Sequence, residues 1–180
     1  MDTYKLKWTR LQNEIFRILC IKTGEPLNQR KIANALKVSP TAVAKSLVKM
    51  EKEKIITIKK ESMNFNLVEL NRDNPLAIGL KRAENLKMLY ESGMPQFLEE
   101  KFPGSSIILF GSYSYGEDTS KSDIDIAIIG VKEKEIDMNK FENILVKEIR
   151  INFYDNFKIV HKHLKENLCN GILLKGGIEL

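Results

Sequence analysis

Leu11, Ile15, Ile18 and Leu19 recur at helical spacing, so Trp8 to Lys22 reads as an amphipathic helix, ended by Gly24 and Pro26. Leu27-Asn28-Gln29 opens a second, short helix with Ile32, Ala33 and Leu36 on its inner face. Ser39-Pro40 then starts a third. Serine can cap a helix, and proline suits the first helical position, where its missing N–H is no loss. That helix, Pro40 to about Glu53, buries Val43, Leu47 and Met50 and shows Thr41, Ala42, Lys45, Ser46 and Lys49 on its other face. After Lys54 the period changes from helical to alternating. Ile55 to Lys60 and Phe65 to Leu70 predict two strands, with a hairpin tip at Glu61-Ser62-Met63-Asn64.

Asn74-Pro75 punctuates the chain. A helix carrying Leu76, Leu80, Ala83, Leu86 and Leu89 follows and ends near Gly93; a shorter one from Pro95 runs to Phe102 before Pro103-Gly104. Ser106 to Phe110 is a wholly apolar run, the mark of a buried strand. It enters Gly111-Ser112 and a polar loop. Asp123-Ile124-Asp125 then opens a second apolar strand, and Ile149 to Tyr154 is a third.

Three helices followed by a β-hairpin resemble winged-helix DNA-binding domains, with the resemblance strongest from Ile32 to Ile56. It implies that Thr41, Ala42, Lys45 and Ser46 approach base edges, while Lys49, Lys59 and Lys60 approach phosphates. Charge points the same way. The overall +5 conceals 15 Lys+Arg against 7 Asp+Glu up to Arg72, a net of +8, and −3 thereafter. A basic front half suits a polyanion, because neutralised phosphates release counterions; a lysine-rich surface kept for solubility is the plainer alternative. The third helix has no arginine or asparagine for bidentate base reading, so modest sequence specificity is expected.

Side chains alternate across a strand, so Asp123 and Asp125 project from one face. Two carboxylates that close repel, and a hard divalent cation carrying nucleotide phosphates is the usual remedy. Gly111 permits close backbone approach, and Ser112 with neighbouring N–H groups can hold phosphate oxygens. Alone, each feature is more often a turn or a solvated strand end. Together, as strand, Gly111-Ser112, ten residues, then Asp123-Ile124-Asp125, they resemble the minimal nucleotidyltransferases of the DNA polymerase β superfamily. The resemblance runs from Leu76 to the C-terminus, with Leu164 to Leu174 as the closing helix and apolar tail.

The expected fold is therefore α+β: a winged helix over residues 1–72, then a small α/β nucleotidyltransferase domain over residues 73–180, its first part, 73–103, a helical connector. The resemblance implies that Asp123 and Asp125 bind Mg²⁺ and are catalytic, and that Gly111 and Ser112 contact a nucleoside triphosphate, ATP foremost. The reaction would be in-line attack of an acceptor hydroxyl on the α-phosphate, with pyrophosphate leaving. The family's third carboxylate, aligned on the closing helix, falls on Asn152; Asp155 has the wrong offset. An asparagine offers no charge, so nucleotide binding survives this departure better than catalysis.

Two rival readings follow from the same residues. One is a DNA-binding regulator with a nucleotide-sensing or degenerate transferase domain. The other is an antitoxin-like partner of a HEPN-type toxin, which such relatives modify with adenylyl groups. The residues also allow a homodimer, through the winged helix or the helix that follows Asn74-Pro75. The remaining signals are weak. Met1-Asp2-Thr3-Tyr4 leads into charged sequence without a signal segment, and no apolar run approaches membrane-spanning length, so a soluble cytoplasmic protein is expected. Cys20 and Cys169 read as buried small hydrophobes. His161 and His163, two apart on a helix, should point in different directions, and Tyr113 and Tyr115 either stack on a base or pack beside the turn.

Overall fold

The computed structural model describes residues 7–60 and 66–178; the Met1–Tyr4 start, the hairpin tip expected at Glu61–Asn64 and Phe65 lie outside them. The chain forms two compact units, residues 1–77 and 78–180.

The first unit is a winged helix. Its helices are α1 (Arg10–Ile21), α2 (Gln29–Leu36) and α3 (Pro40–Lys52). Each start is capped by a short polar side chain. Thr9 and Gln12 form a capping box on α1, Asn28 accepts from the Lys31 N–H on α2, and Ser39 accepts from the Ala42 N–H ahead of Pro40 on α3. Helices α1 to α3 bury Ile15, Leu19, Ile32, Val43, Leu47 and Met50 against Ile56, Val68 and Leu70 of the wing strands. The wing is β2 (Ile56–Lys60) antiparallel to β3 (Asn66–Leu70), with Lys60 opposite Asn66. The sequence expectation of a helix opening at Leu27 is corrected. Leu27–Asn28 form a short strand, β1, on β3, which gives the order β1-β3-β2. Asn28 is extended because it is the cap of α2, and that backbone is what lets it join the sheet.

The second unit is α/β. Helices α4 (Pro75–Glu91) and α5 (Met94–Lys101) precede β4 (Ser106–Phe110); then come α6 (Gly111–Tyr115), β5 (Ile124–Ile129), α7 (Asn139–Leu145), β6 (Ile149–Tyr154), α8 (Lys162–Cys169) and β7 (Ile172–Lys175). The sheet runs β6-β5-β4-β7. Strand β5 is antiparallel to β4 and parallel to β6, and β7 lies antiparallel on β4. Both faces are covered, which explains the unbroken apolar strands. Ile107, Leu109, Ile124, Ile126 and Ile128 pack with Leu89, Met94, Leu98 and Phe141; Ile108, Phe110, Ala127 and Ile129 pack with Phe157, Val160 and Leu168.

Smaller expectations change as well. The polar loop expected after Gly111-Ser112 begins as the short helix α6. The apolar tail is an edge strand, β7. Cys169 is exposed, whereas Cys20 is buried as expected. His161 stands before α8 with extended backbone, so its ring and that of His163 come within 5.5 Å rather than diverging. No helix among the described residues is long and apolar enough to cross a membrane.

Candidate functional site

Strands β4 and β5 bring the two halves of the glycine–aspartate pattern to one place. Phe110, the last residue of β4, pairs with Asp125, so Gly111 turns over that aspartate. Gly111 has φ +72°, and a Cβ built there would meet Asp125 Oδ2 at 2.5 Å. Only glycine gives both the backbone conformation and the space. Asp125 shares its sheet face with Ala127 and Ile129 by strand alternation, and Asp123 stands one residue before β5 on the same side. Ser112 is half-buried, and its carbonyl accepts from the Glu117 N–H at 3.0 Å.

The electrostatics are unfavourable to the bare chain. Burial first, then the neighbouring Asp123 charge, pushes the Asp125 carboxyl above the usual carboxylate range, with Arg150 pulling the other way. Two hard oxygen donors, crowded and incompletely compensated, suit a divalent ion that arrives with phosphates and needs only one or two carboxylates from protein. Among the described residues no three acidic, histidine or cysteine side chains cluster as a metal site.

Burial, with the Asp123 charge adding to it, has a consequence for stability. The folded carboxyl of Asp125 holds its proton to higher pH than the unfolded one, whose ordinary value is 3.8. Its contribution to stability is therefore intact below that value and fades as pH rises through the raised one. Asp125→Asn should unfold at a higher temperature than wild type at pH 7, and the two should converge well below pH 4 in thermal scans.

Residue 150 enters the site through the strand register. The third acid was expected at Asn152, but parallel pairing sets Arg150 level with Asp125 and Asn152 level with Ala127, about 7 Å farther along. Arg150 Nη2 lies 3.0 Å from Asp123 Oδ2, and its Nε lies 3.7 Å from Glu148 Oε1. Asp155 is exposed beyond the end of β6, remote from this end of the sheet.

A second network, not foreseen from sequence, holds the loop between α6 and Asp123. Fully buried Asp118 receives Lys81 on Oδ1, the Asn85 amide at 2.7 Å on the same oxygen, and Lys147 at 3.1 Å on Oδ2. Asn85 also donates to the Tyr113 carbonyl, and the Tyr113 hydroxyl donates back to the Asn85 carbonyl. Tyr113 is thereby a packing residue, buried beside the turn, while Tyr115 is half-buried. Gly116, φ +77°, lies so close to α4 that a Cβ would meet the Arg82 nitrogen at 2.7 Å.

In the first unit the outward face of α3 is Thr41, Lys45, Val48 and Lys52, spaced at helical intervals; Val48 is 67% exposed. Ala42 and Ser46 are half-buried at its margin, and the Ser46 hydroxyl donates to the Ala42 carbonyl. Lys49 turns back into the unit, donating to the Lys7 carbonyl at 2.6 Å. Lys59 and Lys60 are exposed on the wing, with Lys59 2.5 Å from Glu69. Val48 and Lys52 went unnoticed in the sequence, although the 41-45-48-52 spacing was there to read.

Known proteins resemble the chain in parts. No curated protein matches it. Among solved structures it is similar to a single-site mutant of Lactococcus lactis ZitR, at 24% identity over 57% of this chain and 67% of that one, TM-score 0.42. It is likewise similar to MepR, a transcription regulator of the Staphylococcus aureus multidrug efflux pump MepA, at 23% identity over 53% and 66%, TM-score 0.41. Streptococcus pyogenes AdcR, the adhesin competence repressor, stands at 22% over 53% and 69%, TM-score 0.42. The family model described as a nucleotidyltransferase domain matches residues 92–172, a span that contains Gly111, Ser112, both aspartates and Arg150. The stretch 92–172 of this chain is a nucleotidyltransferase domain, carried behind a winged helix.

Proposed function

We propose that the chain is a nucleotidyltransferase that moves a nucleoside monophosphate from a triphosphate, ATP foremost, to a hydroxyl acceptor, with its winged helix docking on DNA. The observation that carries the proposal is the seating of the Asp125 carboxylate directly against Gly111, which joins the Gly111-Ser112 turn to a pair of acids. Gly111 makes room for the Asp125 carboxylate, so that the turn's main chain and the acids border one place, and Ser112 offers its hydroxyl at the same turn. Asp123 and Asp125 would hold Mg²⁺, which supplies charge neutralisation at the attacking and leaving oxygens. Arg150 adds a fixed cation beside the phosphates. The buried Asp118 network keeps the loop into Asp123 from shifting, so the acids meet the phosphates without reorganisation. Incubation with an α-labelled nucleotide, Mg²⁺ and DNA, RNA or protein acceptors tests this by transfer of label.

The DNA-docking part rests on the exposed α3 face and the wing lysines. Val48 is an apolar tip suited to a thymine methyl, and Lys45, Lys52 and Lys60 reach outward to phosphates. Binding should fall steeply with salt. Lys45→Ala and Lys60→Ala should each reduce the slope of log affinity against log salt by roughly 0.9. Lys49→Ala, whose ammonium is held by Lys7, should leave the slope unchanged. Binding that ignores salt in mobility-shift titrations removes this part of the proposal.

One observation favours a second reading, in which the domain senses nucleotide for a DNA-binding regulator. Arg150, not an acid, stands level with Asp125. Nucleotide-dependent change in DNA affinity, without transfer of label to any acceptor, is the result that selects it.

A further inference from the structure

The acidic pair already has a cation at its side. Arg150 sits level with Asp125 on the parallel strand, its Nη2 3.0 Å from Asp123 Oδ2, while Gly111 closes the other side of Asp125. The Arg150 side chain is 60% exposed and that of Asp123 23%, so the contact lies at the mouth of the site, where an incoming ion and phosphates would meet it. Glu148, 64% exposed, touches only the outer Nε edge of the arginine at 3.7 Å. Asn152, a strand pitch away, brings no charge.

The charge at this spot decides how many divalent ions it calls for. A third acid at position 150 would make the facing set −3 and leave room for two divalent ions. Arginine makes it −1, which one divalent ion more than balances, leaving a positive site for the phosphates. A guanidinium cannot be deprotonated under ordinary conditions, so this charge is permanent. We infer that Arg150 takes the place of one of two divalent ions, so that this site holds a single one with the nucleotide. The inference rests on the reading of Gly111 to Asp125 as a nucleotide site and deepens it.

Mn²⁺ is the probe, counted by electron paramagnetic resonance on the full chain with and without a non-hydrolysable ATP analogue. Wild type and Glu148→Gln should each bind one Mn²⁺ with the analogue, and Arg150→Asp should bind two. Without nucleotide, Arg150→Gln should bind Mn²⁺ roughly tenfold tighter than wild type, because a charge-assisted hydrogen bond no longer competes for Asp123. Two ions in wild type, or a single ion in Arg150→Asp, overturns the inference. So does a loss of the ion in Glu148→Gln, which would make that glutamate the missing ligand. If the analogue does not bind, the nucleotide reading falls by itself, and the nucleotide-free response of Arg150→Gln still decides whether this arginine competes with a divalent ion.

Discussion

Asp118→Ala should destabilise the second unit by about 3–5 kcal/mol, the usual consequence of stranding buried charge. The aspartate has no exposure and is the shared partner of two ammonium groups, Lys81, itself fully buried, and Lys147, 3% exposed. Removing it leaves two cations in the interior without their shared carboxylate; Lys147 also donates to the carbonyls of Thr119 and Ser122. Lys81→Met should do less harm, since Asp118 keeps Lys147 and the Asn85 amide. Urea unfolding followed separately in the two units is the measurement, because two compact units need not melt together. The expected pattern is a large shift in the 78–180 transition for Asp118→Ala, a smaller one for Lys81→Met, and none in the 1–77 transition. Equal, small shifts would mean that the network is a solvated loop anchor and not a buried charge cluster.

The double variant Asp123→Ala, Asp125→Ala should abolish transfer of label, a loss of at least about 10³-fold, since it removes both oxygen donors that would neutralise the reacting phosphate. Stability should move the other way. Relief of the half-buried Asp125 charge, and of its repulsion by Asp123, offsets the lost Asp123–Arg150 contact, which is a partly exposed pair of small worth. Loss of transfer with a melting temperature unchanged or raised therefore marks a chemical role for the acids. Transfer that persists in the double variant would place the chemistry elsewhere.

Much of this site was legible before the fold. The run Ser106–Phe110, the glycine that ends it and the aspartates that follow Ser112 after a ten-residue spacer carry their own geometry, because an apolar strand, a small-residue turn and strand alternation are local rules. Ser39-Pro40 announced α3 for the same reason. What depended on pairing between distant segments was not legible. Arg150 becomes a site residue only through the parallel register of β5 and β6, which no local pattern sets, and the closing-helix alignment chose Asn152, two residues away. Helix α4 misled in a different way. The sequence marked it by Leu76, Leu80, Ala83, Leu86 and Leu89, yet of these only Leu89 is fully buried, in a row with Ala77, Lys81 and Asn85. Lys81 and the Asn85 amide nitrogen are held in the interior by Asp118 and Tyr113, a partnership that hydrophobic periodicity cannot register.

The central claim is that a nucleoside triphosphate binds over the Gly111-Ser112 turn, with its divalent ion on the two aspartates. Crystals of the full chain grown with Mg²⁺ and a non-hydrolysable triphosphate test it directly. The account predicts phosphate density against the Gly111-Ser112 main chain and an ion in contact with both Asp123 and Asp125. A triphosphate bound elsewhere, or the two carboxylates bare at saturating nucleotide, would contradict it.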